Sequence, residues 1–163
     1  MTPKIYAQAK SVVARYLCGQ TGLKVLDVGS MDVNGTYKDL FVGSEYIGLD
    51  IAPGKNVDVV AKDPYRWDFP SNTFDFVVSG STFEHIEYPW ETIAEIARVM
   101  KKDAYVYLDI PSYNWAEHRF PIDCWRVFMD GMVALAKWAN LTVIENRTYA
   151  HNDSVNCIMV AQK

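Results

Sequence analysis

Four stretches of this chain place polar residues capable of chemistry directly after apolar runs. "VLDVGS" ends on Asp27, Gly29 and Ser30; "YIGLDI" carries Asp50 and Ile51; Asp63 follows "VDVVA"; and "FDFVVSGSTFEHI" runs from Ser79 towards His85. A glycine closing an apolar run lets the backbone turn sharply and lets a ligand approach it closely, because no Cβ stands in the way. A dinucleotide site would ask for G-x-G-x-x-G opening a helix whose N-terminus faces a pyrophosphate. Here residues 29–35 read Gly-Ser-Met-Asp-Val-Asn-Gly, with Met31 where the second glycine would stand and Asp32 adding negative charge. Such a loop serves a pyrophosphate poorly, which makes a nicotinamide-dependent oxidoreductase the weakest reading. Asp50, about twenty residues beyond the turn, suits the two hydroxyls of a ribose, the task an acid performs at that place in dinucleotide folds. The combination points to a ligand with an adenosine portion, no phosphate and a positively charged centre.

A second group lies in "SYNWAEHRFPIDCWRVF", residues 112–128, which is too rich in aromatic, charged and hydrogen-bonding side chains for an ordinary connector. Loops at the edge of an α/β sheet commonly carry specificity. His118, Arg119, Asp123, Trp125 and Arg126 are therefore candidates for holding a second substrate. Against this stands the plainer reading that His118 and Asp123 tie the loop to itself while Trp125 anchors it. His85 and His118 are the candidate general bases, since an ordinary imidazole, with a pKa near 6.5, is largely neutral at neutral pH. Tyr65 and Trp67 read as packing residues. Cys18, Cys124 and Cys157 form no C-x-x-C pair, so neither a disulfide framework nor a zinc site is signalled. With no carboxylate cluster beyond the strand-end positions, no metal is expected.

The elements that must position these residues follow from the apolar pattern. Ile5, Ala9, Val12, Val13, Tyr16 and Leu17 recur at helical spacing within residues 1–22, with Thr2 as N-cap, Pro3 opening the helix, and Gly19 and Gly22 ending it. Strands are expected at 24–28, 46–51, 57–61, 74–79 and 104–110, several continuously apolar as strands buried on both faces are. "PWETIAEIARVMKK" predicts a helix begun by Pro89, with Ile93, Ile96, Ala97 and Met100 on one stripe. Another is expected from about Met129 to Ala139, capped by Asp130 and ended by a left-handed Asn140. Two last strands flank "AHNDS", a turn composition that predicts a closing hairpin. Strands alternating with helices give an open, mostly parallel α/β sheet with helices on both faces, whose ligands bind beyond the strands' carboxyl ends.

Composition agrees with one domain spanning 1–163: half of the 163 residues are hydrophobic. A formal charge of −4 and a pI near 5.3 give no footprint for nucleic acid. No apolar run reaches the ~18 residues of a membrane span, and "MTPKIYAQAK" lacks a signal peptide's apolar core, so a cytoplasmic protein with no membrane partner is expected.

In order and spacing, "VLDVGS", "YIGLDI", "FDFVVSGSTFEHI" and "EIARVMKKDAYVYLDIPS" together resemble the class I S-adenosylmethionine-dependent methyltransferases, especially the small type 11 enzymes that modify metabolites or sugars. The resemblance covers nearly the whole chain. It implies a Rossmann-like sheet of seven strands with the last one antiparallel. It also implies S-adenosylmethionine as cofactor, S-adenosylhomocysteine as product, and a small-molecule or sugar acceptor. By position it assigns Asp27, Gly29 and Ser30 to the methionine end of the cofactor and Asp50 to its ribose. Ile51 falls to one face of the adenine, Asp63 to the adenine amino group and the Ser79 carbonyl to the amino acid end. Two departures stand out: the missing second glycine, and Lys101-Lys102-Asp103-Ala104 where the family usually has Lys-Pro-Gly-Gly before the fifth strand. With no second domain, the lid must come from the N-terminal helix and the 112–128 loop, or from a partner subunit in a homo-oligomer. The altered glycine loop motivates an alternative, a non-catalytic subunit or regulator that binds the cofactor.

Overall fold

The computed structural model describes residues 2–163. Seven strands, β1 (Lys24–Val28), β2 (Glu45–Asp50), β3 (Val59–Val60), β4 (Phe74–Gly80), β5 (Met100–Pro111), β6 (Thr142–His151) and β7 (Ser154–Gln162), form one sheet in the order β3-β2-β1-β4-β5-β7-β6. β1 to β5 pair in parallel, and β7 runs antiparallel to both β5 and β6. Strand order reverses between β1 and β4, so the ligand crevice of an open α/β sheet belongs there.

Alternation along the strands sends side chains to two apolar layers. On one face Leu26, Val28, Val77, Val106 and Leu108 meet helices α2 (Pro89–Val99) and α3 (Met129–Trp138). On the other, Val25, Phe76, Val78 and Tyr107 meet helix α1 (Pro3–Leu17) through Ile5, Ala9, Val12 and Leu17. The Thr2 side chain caps α1 by accepting from the Ile5 N–H, and Cys18, left-handed with φ 48°, ends it just before Gly19.

Local expectations fail at four places. Met100 opens β5 rather than closing α2, because Val99 and Met100 are needed to fill the core beneath Phe74. Residues 101–104, expected to precede the fifth strand, are therefore part of it, with Asp103 left-handed at φ 63°. Asp130 is not the cap of α3; Phe128 stands there without a side-chain cap and Asp130 lies in the first turn, while Asn140 is left-handed as expected, at φ 56°. Finally, strands and helices do not alternate throughout. The β1–β2 connection contains only a 3-10 turn at Lys38–Leu40, where Tyr37 and Phe41 fill the layer under α1.

Candidate active site

The turn after β1 depends on its glycine. Gly29 has φ 78°, and a Cβ there would lie 2.1 Å from the Thr82 Oγ1. The β1 tip thus touches the segment leaving β4, and the Thr82 hydroxyl donates to the Val28 carbonyl at 3.3 Å. Ser79 donates to the same carbonyl at 2.8 Å. The Gly29 and Ser30 N–H groups both reach the Leu49 carbonyl, at 2.9 and 3.1 Å, tying the turn to β2.

Asp50 ends β2 with its carboxylate facing that turn. Its Oδ1 accepts from the Ile51 and Ala52 N–H groups at 2.8 and 3.4 Å, and its Oδ2 accepts from the Met31 N–H at 3.0 Å. A carboxylate offers about four acceptor positions, so one remains on Oδ2 for an incoming hydroxyl. Ile51 is exposed beside it. Ser30 is buried, and its Oγ has no hydrogen-bond partner. An acid with a free lone pair, an apolar neighbour and an orphaned hydroxyl between two strand tips fit an adenosine portion. Around them the 31–37 segment packs closely. Met31 covers Gly54, Lys55 pairs with Asp32 at 2.6 Å, and Tyr37 lies over Gly80.

The remaining expected cofactor residues lie apart from this crevice or beneath it. Asp27 is buried on the α1 face and accepts from the Tyr46 hydroxyl. Burial pushes its carboxyl up to about 7, against the lowering effect of Tyr46. Asp63 is exposed and accepts from the Tyr65 N–H at 2.8 Å. Trp67 is buried in the α2 layer, donating from its ring to the Pro64 carbonyl.

Beyond β4 the chain makes a 3-10 turn at Phe83–His85, and the 112–128 loop folds down onto it: the Glu84 carbonyl accepts from the Cys124 and Trp125 N–H groups at 2.7 and 3.2 Å. This brings together the two histidines. Their rings meet edge to face with centroids 5.1 Å apart. Each also turns a nitrogen to Glu84 Oε1, His85 Nε2 at 3.7 Å and His118 Nε2 at 3.6 Å. The Glu84 side chain is wholly inaccessible, and neither of its oxygens has a hydrogen-bond partner. Burial raises its carboxyl to about 8. Burial also holds His85 below the ordinary histidine range, opposed by the Ile122 carbonyl at its Nδ1 and aided by His118.

Of the loop residues, Asp123 and Arg126 form a two-pronged ion pair at 2.5 and 2.7 Å. Asp123 also accepts from the His118 N–H at 2.7 Å, so the pair fixes the loop that presents His118. Arg126, hydrogen-bonded to it, holds the Asp123 carboxyl below the usual carboxylate range. Trp125 donates to the Ile86 carbonyl at 2.8 Å and keeps part of its ring exposed. Arg119 points outward to Glu117 and joins no cluster. A cavity of about 320 Å³ lies here, lined by Trp115, Glu117, Asp123, Cys124, Trp125 and Arg126. Sequence reasoning missed Glu84 because a glutamate after a strand reads as a surface residue; its only signal was the apolar run on either side.

Comparison with known proteins bears on this arrangement. Residues 26–108 match the profile of a family described as "Methyltransferase domain". No curated protein matches the chain. Among solved structures, the Burkholderia thailandensis 1,6-didemethyltoxoflavin-N1-methyltransferase with S-adenosylhomocysteine bound is similar, with a TM-score of 0.78 at 13% identity over 98% of this chain and 78% of that one. A complex of the Haloferax volcanii Trm112 methyltransferase activator with a putative methyltransferase is similar with a TM-score of 0.70, at 20% identity over 98% of this chain and 91% of that one. The [4+2]-cyclase SpnF is similar as well, with a TM-score of 0.71 at 14% identity over 96% and 80%. At such identities the likeness is one of fold, and a cyclase among the neighbours shows that fold alone does not choose the reaction.

Proposed function

Since this chain belongs to the methyltransferase-domain family, we propose that it transfers the methyl group of S-adenosylmethionine to a small-molecule or sugar acceptor held against His85 and His118. The observation that carries this reading is the contact of Gly29 with Thr82, which sets the tips of β1 and β2 beside the turn bearing Glu84 and His85. In the family's reaction an acceptor lone pair forms a bond to the methyl carbon as the carbon–sulfur bond breaks. The electron pair stays on sulfur, giving S-adenosylhomocysteine, and a hydroxyl acceptor gives up its proton. Alignment is the main source of rate, with effective gains of ~7–11 kcal/mol for well-oriented reactants.

In this reading Asp50 holds the ribose, Ile51 and Asp63 border the adenine, and Asp27, Gly29, Ser30 and Ser79 shape the methionine end. His85 and His118 face the acceptor's reacting group. Asp123 and Arg126 hold the loop in place, with Trp125 and Arg119 at its rim. We take 1–163 as one such domain, with 112–128 as the acceptor loop. Among the described residues no helix is long and apolar enough to cross a membrane. Three free cysteines suit a reducing compartment such as the cytoplasm.

A second reading, a non-catalytic cofactor-binding subunit, is favoured by the close packing of Met31 and Tyr37 around the crevice. Calorimetry with S-adenosylhomocysteine, followed by assay of its formation from S-adenosylmethionine over a panel of hydroxylated acceptors, separates the two. Binding with turnover supports the enzyme, binding without any turnover the subunit, and absence of binding removes both.

A further inference from the structure

We infer that Glu84, His85 and His118 form a binding site for a first-row divalent transition metal such as Zn²⁺. One ligand atom from each lies within 4.8 Å of the others. The two distances to Glu84 Oε1, 3.7 and 3.6 Å, exceed by only a few tenths the ~3.4 Å edge of a tetrahedron built on bonds near 2.05 Å. A small contraction of the 112–128 loop onto the β4 turn would close the site.

Three features distinguish it from a chance grouping. The Glu84 carboxylate is wholly inaccessible with both oxygens unpartnered, an arrangement that is costly unless a cation or a donor meets it. Each histidine spends its other nitrogen on an acceptor: His85 Nδ1 lies 2.5 Å from the Ile122 carbonyl, and His118 Nδ1 lies 3.1 Å from the Ala116 carbonyl. Such a bond fixes the tautomer and leaves Nε2 free to coordinate, as is usual for metal-bound histidine. The supporting shell is itself held: Asp123 Oδ2 stands 3.7 Å from His118 Nδ1, and Arg126 grips Asp123 with two bonds. Two imidazoles and one carboxylate favour Zn²⁺, Fe²⁺ or Co²⁺ over Mg²⁺ or Ca²⁺, which prefer all-oxygen sites.

Three protein ligands leave coordination positions open, and His118 is partly exposed, so the open side faces the solvent-accessible acceptor loop. The metal would there hold an oxygen of the acceptor, and the histidines would act as ligands. This last step rests on the proposed methyl transfer; the binding of the metal does not.

The test is calorimetric titration of chelator-treated protein with Zn²⁺, together with the visible spectrum of the Co²⁺ form. One equivalent of Zn²⁺ should bind, and Co²⁺ should show d–d bands of low-symmetry, four- or five-coordinate nitrogen and oxygen ligation. His118→Ala, on an accessible loop, should weaken Zn²⁺ by at least about a hundredfold, and Glu84→Gln should do the same. Asp123→Asn should weaken it about tenfold, as loss of an outer-shell partner does. Circular dichroism confirms that each variant is folded; if Glu84→Gln is not, His118→Ala alone decides. Absence of stoichiometric Zn²⁺ binding, or binding that His118→Ala leaves unchanged, overturns the site. S-adenosylhomocysteine titrated into the same chelated protein keeps the two questions apart: its binding without Zn²⁺ binding leaves the methyltransferase reading standing and removes only the metal.

Discussion

The two sides of the site are held by different materials. At the tips of β1 and β2 the bonds are made largely by the backbone: the N–H groups of Gly29 and Ser30 on the Leu49 carbonyl, and those of Met31, Ile51 and Ala52 on Asp50. Beyond β4 side chains share the holding: the Cys124 and Trp125 N–H groups hang on the Glu84 carbonyl, while Asp123 pairs with Arg126 and accepts from the His118 N–H, and His85 is bonded to the Ile122 carbonyl. The first side cannot change its chain path without losing its shape. The second can exchange side chains and keep its path, which suits the acceptor-holding role proposed for it.

The largest expected effect is therefore on the backbone-held side. Gly29→Ala should destabilise the fold by roughly 2–6 kcal/mol, combining a left-handed alanine with overpacking against Thr82. Adding Thr82→Gly should restore only the packing part, and urea denaturation of the single and double variants measures both. A Gly29→Ala protein as stable as the parent would dissolve the distinction.

Next is a pH effect at Asp27. Its carboxyl stands at about 7 in the folded chain, above the ~3.9 of an unfolded aspartate, so the folded state binds the proton more tightly. Its stabilising contribution is complete below pH ~4 and is lost as pH rises through about 7, a change of roughly 2–4 kcal/mol. Asp27→Asn should flatten that part of the stability curve and raise the melting temperature at pH 8. Denaturation midpoints from pH 4 to 8 check this, and an unaltered slope would show that Tyr46 and the surrounding burial do not govern the group.

Asp50→Ala should weaken S-adenosylhomocysteine binding by roughly 1.5–3 kcal/mol, the range for hydrogen bonds to a charged group. Calorimetry on folded variant decides it, and undiminished affinity would move the ribose elsewhere. The smallest effect on the fold is expected on the side-chain-held side. Arg126→Ala should cost about 1–2 kcal/mol of stability, since the Asp123 side chain is only 3% exposed and loses a two-bonded partner but keeps the His118 N–H. Once an acceptor is known, the same variant should raise its KM through a loosened His118. A large loss of stability with an unchanged KM would reverse the comparison.

The backbone-held side was largely legible in the chain. An apolar run ending in glycine, or in aspartate, names a strand and its turn from adjacent residues, so Gly29 and Asp50 were found together with the strands that carry them. Their surroundings were less so. The missing helix between β1 and β2 escaped notice because Tyr37 and Phe41 fill its layer from a connection with no helical period. Met100 escaped because its apolar side chain fits the stripe of α2 and the core end of β5 equally well.

What the sequence determined by itself was the strand order's raw material, the mostly parallel sheet and the family, since these depend on periodicity and on motifs of a few neighbouring residues. What only the tertiary structure decided was the side-chain cluster beyond β4, where the acceptor is proposed to sit. Glu84 and His118 lie far apart along the chain, and nothing local says that the 112–128 loop returns to hang its Cys124 and Trp125 N–H groups on the Glu84 carbonyl. Burial of the Glu84 carboxylate beside two imidazoles is a property of that return alone, because desolvation and metal-like geometry arise only when distant segments exclude water together.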